Sequence, residues 1–317
     1  MSFKWPWTHV SEGWTAIDSD GGLFGVNVQF PRKIGERALV LKHAAMPNAV
    51  LDQANLTQMA KLMQGSNFPL VHVLGRQDYQ MFLVDKAAVR PDEMLSSLRW
   101  TLTPLLDYPA TEANLSWMDV PQTHAASNRT PRLYVVAARR AVVNQRMGIF
   151  DRARLSLKSL DIRETGQRNI SAAIQDQDAA VCLIYAEPKG VQLTVSYQGE
   201  LFLERYIRES LFQTDDDGSH TRDEQRFDRV ALEIQRSIDL VRRNAASIPF
   251  DGIFIAPTQS DIGLVDKLQA RLLTNITQLD LSRLFEWPQG SELVKPEVQA
   301  LYFNALGAAL RVKESWR

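Results

Sequence analysis

Apolar positions along the chain fall into short runs of strand length, interleaved with stretches at helical spacing and broken by Gly, Pro and Asp. A strand over 14–18, the turn Ser19-Asp20-Gly21-Gly22 and a strand over 23–30 predict a hairpin, since Gly-containing turns between apolar runs are its signal. A third strand is expected over 37–43. A helix is expected over 49–64, where Leu51, Leu56, Met59 and Met63 come at near-helical spacing. Short strands over 70–74 and 80–84 precede a helix opened by Arg90-Pro91-Asp92-Glu93 and running towards Pro104. Proline and acidic residues suit a first helical turn, whose N–H groups lack partners. A strand over 113–120, a polar linker over 121–131, a strand over 132–138, a helix over 140–153 and a strand over 156–162 complete the first half.

The second half repeats the plan. Strands over 181–186, 191–197 and 200–206 are joined by the turns Glu187-Pro188-Lys189-Gly190 and Gln198-Gly199. A polar loop over 213–222 leads into a long helix over 223–244. Its Phe227, Val230, Ala231, Ile234, Ile238 and Val241 make one apolar face. A strand over 252–257, a helix over 261–273, a strand over 275–281 and a last helix over 295–312 follow. The stretch from Tyr134 to Ile162 can be laid without a gap on that from Ile253 to Leu281. Ala137 then falls on Ala256, Leu160 on Leu279 and Asp161 on Asp280, with 23 positions from Ala to Leu in each. Each unit is also preceded upstream by a hairpin, which favours duplication. Two similar α/β halves, each opening with a hairpin, describe an actin-like (ribonuclease H-like) two-lobe fold. There a nucleotide lies between the lobes, and the turn of each hairpin reaches for its phosphates through backbone N–H groups.

Composition narrows the functional classes. With 317 residues, 45% hydrophobic and a net charge of −1, the chain has the length of about two domains and no global field towards nucleic acid or anionic lipid. The longest apolar runs fall well short of the roughly 20 residues of a membrane span, and residues 1–17 lack the apolar core of a secretory signal. The single cysteine, Cys182, excludes an internal disulfide and fits a reducing cytoplasm. The five histidines, His9, His43, His72, His124 and His220, have no metal-ligand spacing, so no metal site is expected. No nucleophile elbow, Walker loop or dinucleotide fingerprint occurs.

Five stretches, VRPDEMLSSLRW at 89–100, RLYVVAARRAVVNQRMGIF at 132–150, YQGELFLERYI at 197–207, ALEIQRSIDL at 231–240 and FNALGAALR at 303–311, make the chain resemble a known family. It is that of the actin-like type IV pilus assembly proteins, PilM and its mannose-sensitive haemagglutinin (MSHA) pilus relative MshI. The resemblance implies a first lobe over 1–165, with its core at 1–85 and 129–165 and a small inserted subdomain at 86–128. It implies a second lobe over 166–317, with its core at 166–207 and 248–295 and an outer helix region at 208–247. A C-terminal helix at 296–317 would pack back on the body. It further implies a cytoplasmic scaffold, peripheral to the inner membrane, that binds the N-terminal cytoplasmic tail of a bitopic pilus assembly protein in a groove beside the insert. Trp100, on the insert's helix, and Trp117, on its strand, are expected to pack the small core there. Whichever is exposed becomes a candidate anchor for the tail. Self-association stays open.

The resemblance is incomplete where nucleotide chemistry would sit. Asp18, Ser19, Asp20 and Gly21 keep a phosphate-turn pattern, with Asp18 or Asp20 able to face magnesium, although a plain hairpin turn has the same composition. In the second turn Tyr185 or Ala186 stands where the family carries a carboxylate, and Pro188 removes an amide donor. Pro257-Thr258-Gln259 replaces a glycine pair expected after the second-lobe strand. No hydrolysis and no cofactor are therefore expected, beyond weak Mg-ATP binding, because phosphoryl transfer rests on positioning and electrostatics. The alternative is a divergent ATPase of the actin and sugar-kinase superfamily. A cytoplasmic domain like those of type II secretion platforms is a third reading.

Overall fold

The computed structural model describes residues 12–31, 33, 36–64, 68–122, 130–175, 179–212, 220–244 and 248–311. Strands β1 (Gly13–Asp18) and β2 (Gly22–Gln29) form the expected hairpin. Gly21 and Gly22 close it at φ of 71° and 149°, a region that disfavours side chains. β3 (Ala38–Pro47) returns along β2. Helix α1 (Gln53–Leu62) starts behind Asp52, whose carboxylate accepts from the Asn55 amide at 2.8 Å. After β4 (Leu70–Val73) come β5 (Tyr79–Asp85), α2 (Met94–Leu102), β6 (Ala113–Asp119) and β7 (Arg132–Arg139). Residues 90–93 close a separate turn ahead of α2, so the helix begins later than the Arg90-Pro91 signal suggested. Next are α3 (Arg140–Arg152), β8 (Leu157–Asp161) and α4 (Arg163–Ile174). The second half runs β9 (Ala180–Glu187), β10 (Gly190–Tyr197), β11 (Glu200–Ile207), α5 (His220–Asn244), β12 (Phe250–Ile255), α6 (Leu264–Leu272) and β13 (Ile276–Gln278), ending with β14 (Phe285–Glu286) and α7 (Pro296–Ala309). Residues 123–129 of the expected linker, 213–219 of the expected polar loop, Val312 of the last helix, His9 and His124 lie outside the described residues.

Two sheets share one plan, and the fold is actin-like. The first has the order β14-β3-β2-β1-β4-β8 and the second β11-β10-β9-β12-β13. In both, an antiparallel three-strand meander continues into two parallel strands laid beside its first strand. The internal repeat is therefore present, but its gapless overlay was half wrong. β8 and β13 do correspond, each closing its sheet, whereas the partner of β12 is β4 and not β7. β7 matched β12 in hydropathy alone. β4, expected as a strand over 70–74, was missed as the counterpart of β12 because the insertion separates it from β8.

That insertion is larger than residues 86–128. β7 is the middle strand of a third, antiparallel sheet, β5-β7-β6, so 79–85 and 132–139 belong to the insert and not to the lobe core. Its two faces divide by the period-two rule. Tyr79, Met81, Met118, Tyr134, Val136 and Ala138 join the core of the second lobe. Phe82, Val84, Leu115, Trp117, Leu133, Val135 and Ala137 lie under Met94, Leu98 and Leu102 of α2 in a small core of their own.

Helix α4 was not anticipated. RETGQRNISAAI has no apolar stripe, yet Arg163 to Ser171 are all buried in it. It packs against α7 at a glycine contact: a Cβ on Gly307 would come within 2.5 Å of the Gly166 carbonyl oxygen and 2.8 Å of its carbonyl carbon. The Asn169 amide seals the crossing by donating to the Gly307 carbonyl at 3.0 Å. The α5 stripe from Phe227 to Val241 is buried as patterned. His72 is wholly buried on β4, where its Nδ1–H donates to the Ile17 carbonyl at 3.0 Å and its ring lies 5.0 Å from that of Phe150.

Two predictions follow from this packing. Gly307→Ala meets rigid backbone and is expected to cost about 2 kcal/mol or more. Gly166→Ala has its first contact at 3.5 Å and is expected to be neutral, or to stabilise by up to about 1 kcal/mol through helix propensity. Urea unfolding of both variants checks the asymmetry. For His72, burial holds the ring neutral and lowers its pKa from 6.5 to about 4. Between those values the unfolded chain takes up a proton that the folded chain refuses. Stability is then complete above pH 6.5 and falls on acidification towards pH 4, by about 3 kcal/mol. His72→Phe is expected to flatten this segment of the stability curve relative to the parent, measured by urea midpoints from pH 7 to pH 4.

Candidate functional site

The two hairpin turns that the duplication predicts face each other through one side chain. Asp18 ends β1 and is buried. Its carboxylate accepts from the Asp20 amide at 3.2 Å and from the Asn304 amide of α7 at 2.9 Å. Burial is the largest influence on its pKa and raises it, against the opposing pull of Arg163, Asn304 and the Ser19 backbone. Ser19, Asp20 and Gly21 make the turn itself. Asp20, half-buried, is ion-paired to Arg163 in the first turn of α4. On the other side Glu187, the last residue of β9, is ion-paired to the same guanidinium. Only 3% of Arg163 is exposed. One buried cation therefore lies between a carboxylate of each turn.

Tyr206 of β11 lies near Glu187; burial first, and then this carboxylate, push the tyrosine pKa up to about 12. Tyr185, at one of the two candidate carboxylate positions, stacks on Phe303 of α7 with centroids 4.7 Å apart and serves the interior. Pro188 and Lys189 turn the hairpin. Beside it Tyr185, Glu187, Pro188, Phe212, Pro257, Thr258, Gln259 and Ala300 line a recess of about 230 Å³. Two prolines, Pro188 and Pro257, are part of its lining.

A second buried polar cluster escaped the sequence reading. Arg76, in a short 3-10 turn between β4 and β5, donates to Glu164 at 2.8 Å and to Gln192 at 2.7 Å, and pairs with Glu204 at 3.4 Å. Its guanidinium lies 3.6 Å from the ring centroid of Tyr206. The Tyr79 hydroxyl donates to Glu164 at 2.5 Å, and the Glu204 amide donates to the Tyr134 hydroxyl at 3.0 Å. Burial raises the pKa of Glu204, and the neighbouring Glu164 adds to the rise. Nothing in the sequence marks these residues, because they come from five separate segments. The pairing of Asp161 with Arg311 at 2.8 Å was equally silent.

The two tryptophans part company. Trp117 packs into the small core of the insert, as expected. Trp100 lies on the outer side of α2, 83% exposed. His43 is bonded within the body, to Ser291 at 2.9 Å and to Tyr302 at 3.3 Å. The thiol of Cys182 is buried, and burial pushes its pKa up to about 12, which leaves it protonated and inert. Among the described residues no His, Cys, Asp and Glu group is arranged to hold a metal ion, and no helix is long and apolar enough to cross a membrane.

The sequence matches no protein-family model and no curated protein. Solved structures do match in shape. The PilM–PilN type IV pilus biogenesis complex supplies a chain that is 16% identical, at a TM-score of 0.72, covering 96% of this chain and 99% of that one. A Bacteroides thetaiotaomicron protein with an actin-like ATPase fold is 9% identical, at a TM-score of 0.50, over 92% of this chain and 95% of that one. The cytoplasmic domain of EpsL, an inner-membrane component of the Vibrio cholerae type II secretion system, is 8% identical at a TM-score of 0.48, over 91% and 94%. At these identities the likeness is one of fold, and for the first of these structures it extends over nearly the whole length of both chains.

Proposed function

We propose that this chain is a non-catalytic adaptor of a type IV pilus inner-membrane platform, of the MSHA kind. In this reading it is cytoplasmic and held at the membrane through a bitopic partner whose N-terminal tail it binds beside the inserted sheet. Its nucleotide site has been given over to ion pairs. The observation that carries the reading is the Arg163 guanidinium between Asp20 and Glu187. Carboxylates that would face a metal or a phosphate group already hold an internal cation. The local charge of Asp20, Glu187 and Arg163 together is negative and opposes a polyphosphate. Pro188 and Pro257 add no amide donors.

For the tail site, support comes from the fold shared with a chain solved in complex with PilN and from the insert's surface. Leu83, Val89, Trp100 and Leu105 are all exposed there, and tryptophan is the residue type most enriched at binding hot spots. The divergent-ATPase reading has one observation in its favour, the recess beside Thr258 and Gln259. Its volume is below the roughly 300 Å³ at which small-molecule pockets begin.

Calorimetric titration of the full chain with Mg-ATP, and separately with a synthetic N-terminal tail of the candidate membrane partner, tests the proposal. The expected outcome is tail binding near 1 μM, about −8 kcal/mol, with no heat from Mg-ATP. Trp100→Ala should weaken the tail about tenfold, a loss of roughly 1.4 kcal/mol. Micromolar Mg-ATP binding would bring the ATPase reading forward. A tail that binds the Trp100→Ala variant unchanged would move the site elsewhere on the surface.

A further inference from the structure

Two clusters, the Arg163 bridge in the cleft and the Arg76 cluster at the root of the inserted sheet, meet in the first turn of α4. Arg163 pairs with Glu187 and with Asp20. Arg76 donates to Glu164 at 2.8 Å, and Glu164 is joined to Arg163 by a peptide bond within the first turn of α4. The Tyr206 ring lies against the Arg76 guanidinium at 3.6 Å, and the hydroxyl of Tyr79, the first residue of β5, donates to Glu164. The junction therefore reaches both cleft turns on one side and the inserted sheet on the other.

We infer that the first turn of α4 is a rigid relay, in which Arg163 and Glu164 fix the inserted sheet to the two cleft turns as one mechanical unit. Three features leave this junction little slack. Arg163, Glu164 and Glu187 are buried, so a contact broken there is not replaced by water, and the groups must move together or lose their partners outright. A guanidinium bonds through a planar fork, which ties its orientation to that of its carboxylates. The inserted sheet has no independent seat, because one of its faces is part of the second-lobe core while its chain ends enter from the first lobe. Its orientation is thus set where the lobes meet, and Arg163 joins the lobes. In this arrangement the internal cation holds the lobes in register, a task that needs no ligand. The relay holds whatever the inserted sheet binds.

A double-mutant cycle on the full chain, with hydrogen exchange as the second readout, tests it. Arg163→Met and Arg76→Met touch no common atom. Independent sites would multiply their effects on the folded-to-unfolded ratio measured in urea. The relay requires the double variant to retain a ratio at least fivefold above that product. It also requires Arg163→Met to raise amide exchange in β5 and β7 by about tenfold, while α5 and α6 keep wild-type rates. If Arg163→Met does not fold, Asp20→Asn removes one half-buried arm of the bridge and is carried through the same cycle with the same two requirements. Multiplicative effects overturn the relay, and so does wild-type exchange in β5 and β7 when the cleft turns alone exchange faster.

Discussion

A guanidinium that is almost wholly buried is the constraint from which much of this molecule follows. Moving an unpaired ion out of water costs several kcal/mol even after relaxation, so Arg163 is tolerable only with carboxylates in place. It takes one from each half of the duplicated fold, Asp20 and Glu187. The two hairpin turns must then come within hydrogen-bonding reach of a single side chain. That fixes how the lobes approach, which places α4 between them, and α4 in turn fixes α7 through the Gly166–Gly307 contact. Asn304 of α7 can then reach back to Asp18. Breaking such a pair by removing one partner typically costs about 3–5 kcal/mol. The first turn, the second turn and the two connecting helices are therefore not separable parts.

The interior is accordingly of two kinds. Each sheet has an apolar core whose strands were visible in the hydropathy. Between the cores runs a polar seam: α4 with Arg163, Glu164, Gln167 and Asn169, together with Arg76, Gln192, Thr194 and Glu204. Most of their polar atoms are partnered, as when the Thr194 hydroxyl donates to Gln167 at 3.0 Å. Seams of this kind are weak sources of stability, since well-packed apolar groups of the same shape do as well or better. They do select one arrangement, because a shifted helix would leave several buried groups unpaired at once. The fold has put this selectivity between its two lobes, around α4.

The sequence disclosed the parts of the structure that depend on neighbours in the chain. β1 to β3, β9 to β11 and the α5 stripe were legible because a hairpin or an amphipathic helix leaves a period of 2 or 3.6. The duplication was legible in outline and misplaced in detail, since β7 copies the hydropathy of β12 while β4 copies its position. α4 left no trace: burial on all sides by polar partners produces no stripe. Of the candidate site, Asp18, Asp20 and Glu187 were visible as turn carboxylates, and Pro188 and Pro257 as breaks in the pattern. Arg163 was not visible, although it decides what those carboxylates do, because its partners lie 143 residues before it and 24 after it.

The same bridge bears on how readily a nucleotide could enter the cleft. A nucleotide entering the cleft would have to draw Arg163 away from Asp20 and Glu187 or accept their charge beside its phosphates. The first course leaves the buried Glu187 and the half-buried Asp20 without their cation. With a broken pair costing about 3 kcal/mol at the lower end, apparent affinity would fall about a hundredfold or more, at 1.4 kcal/mol per factor of ten. A ligand of micromolar intrinsic affinity would then bind only in the range of 100 μM and weaker.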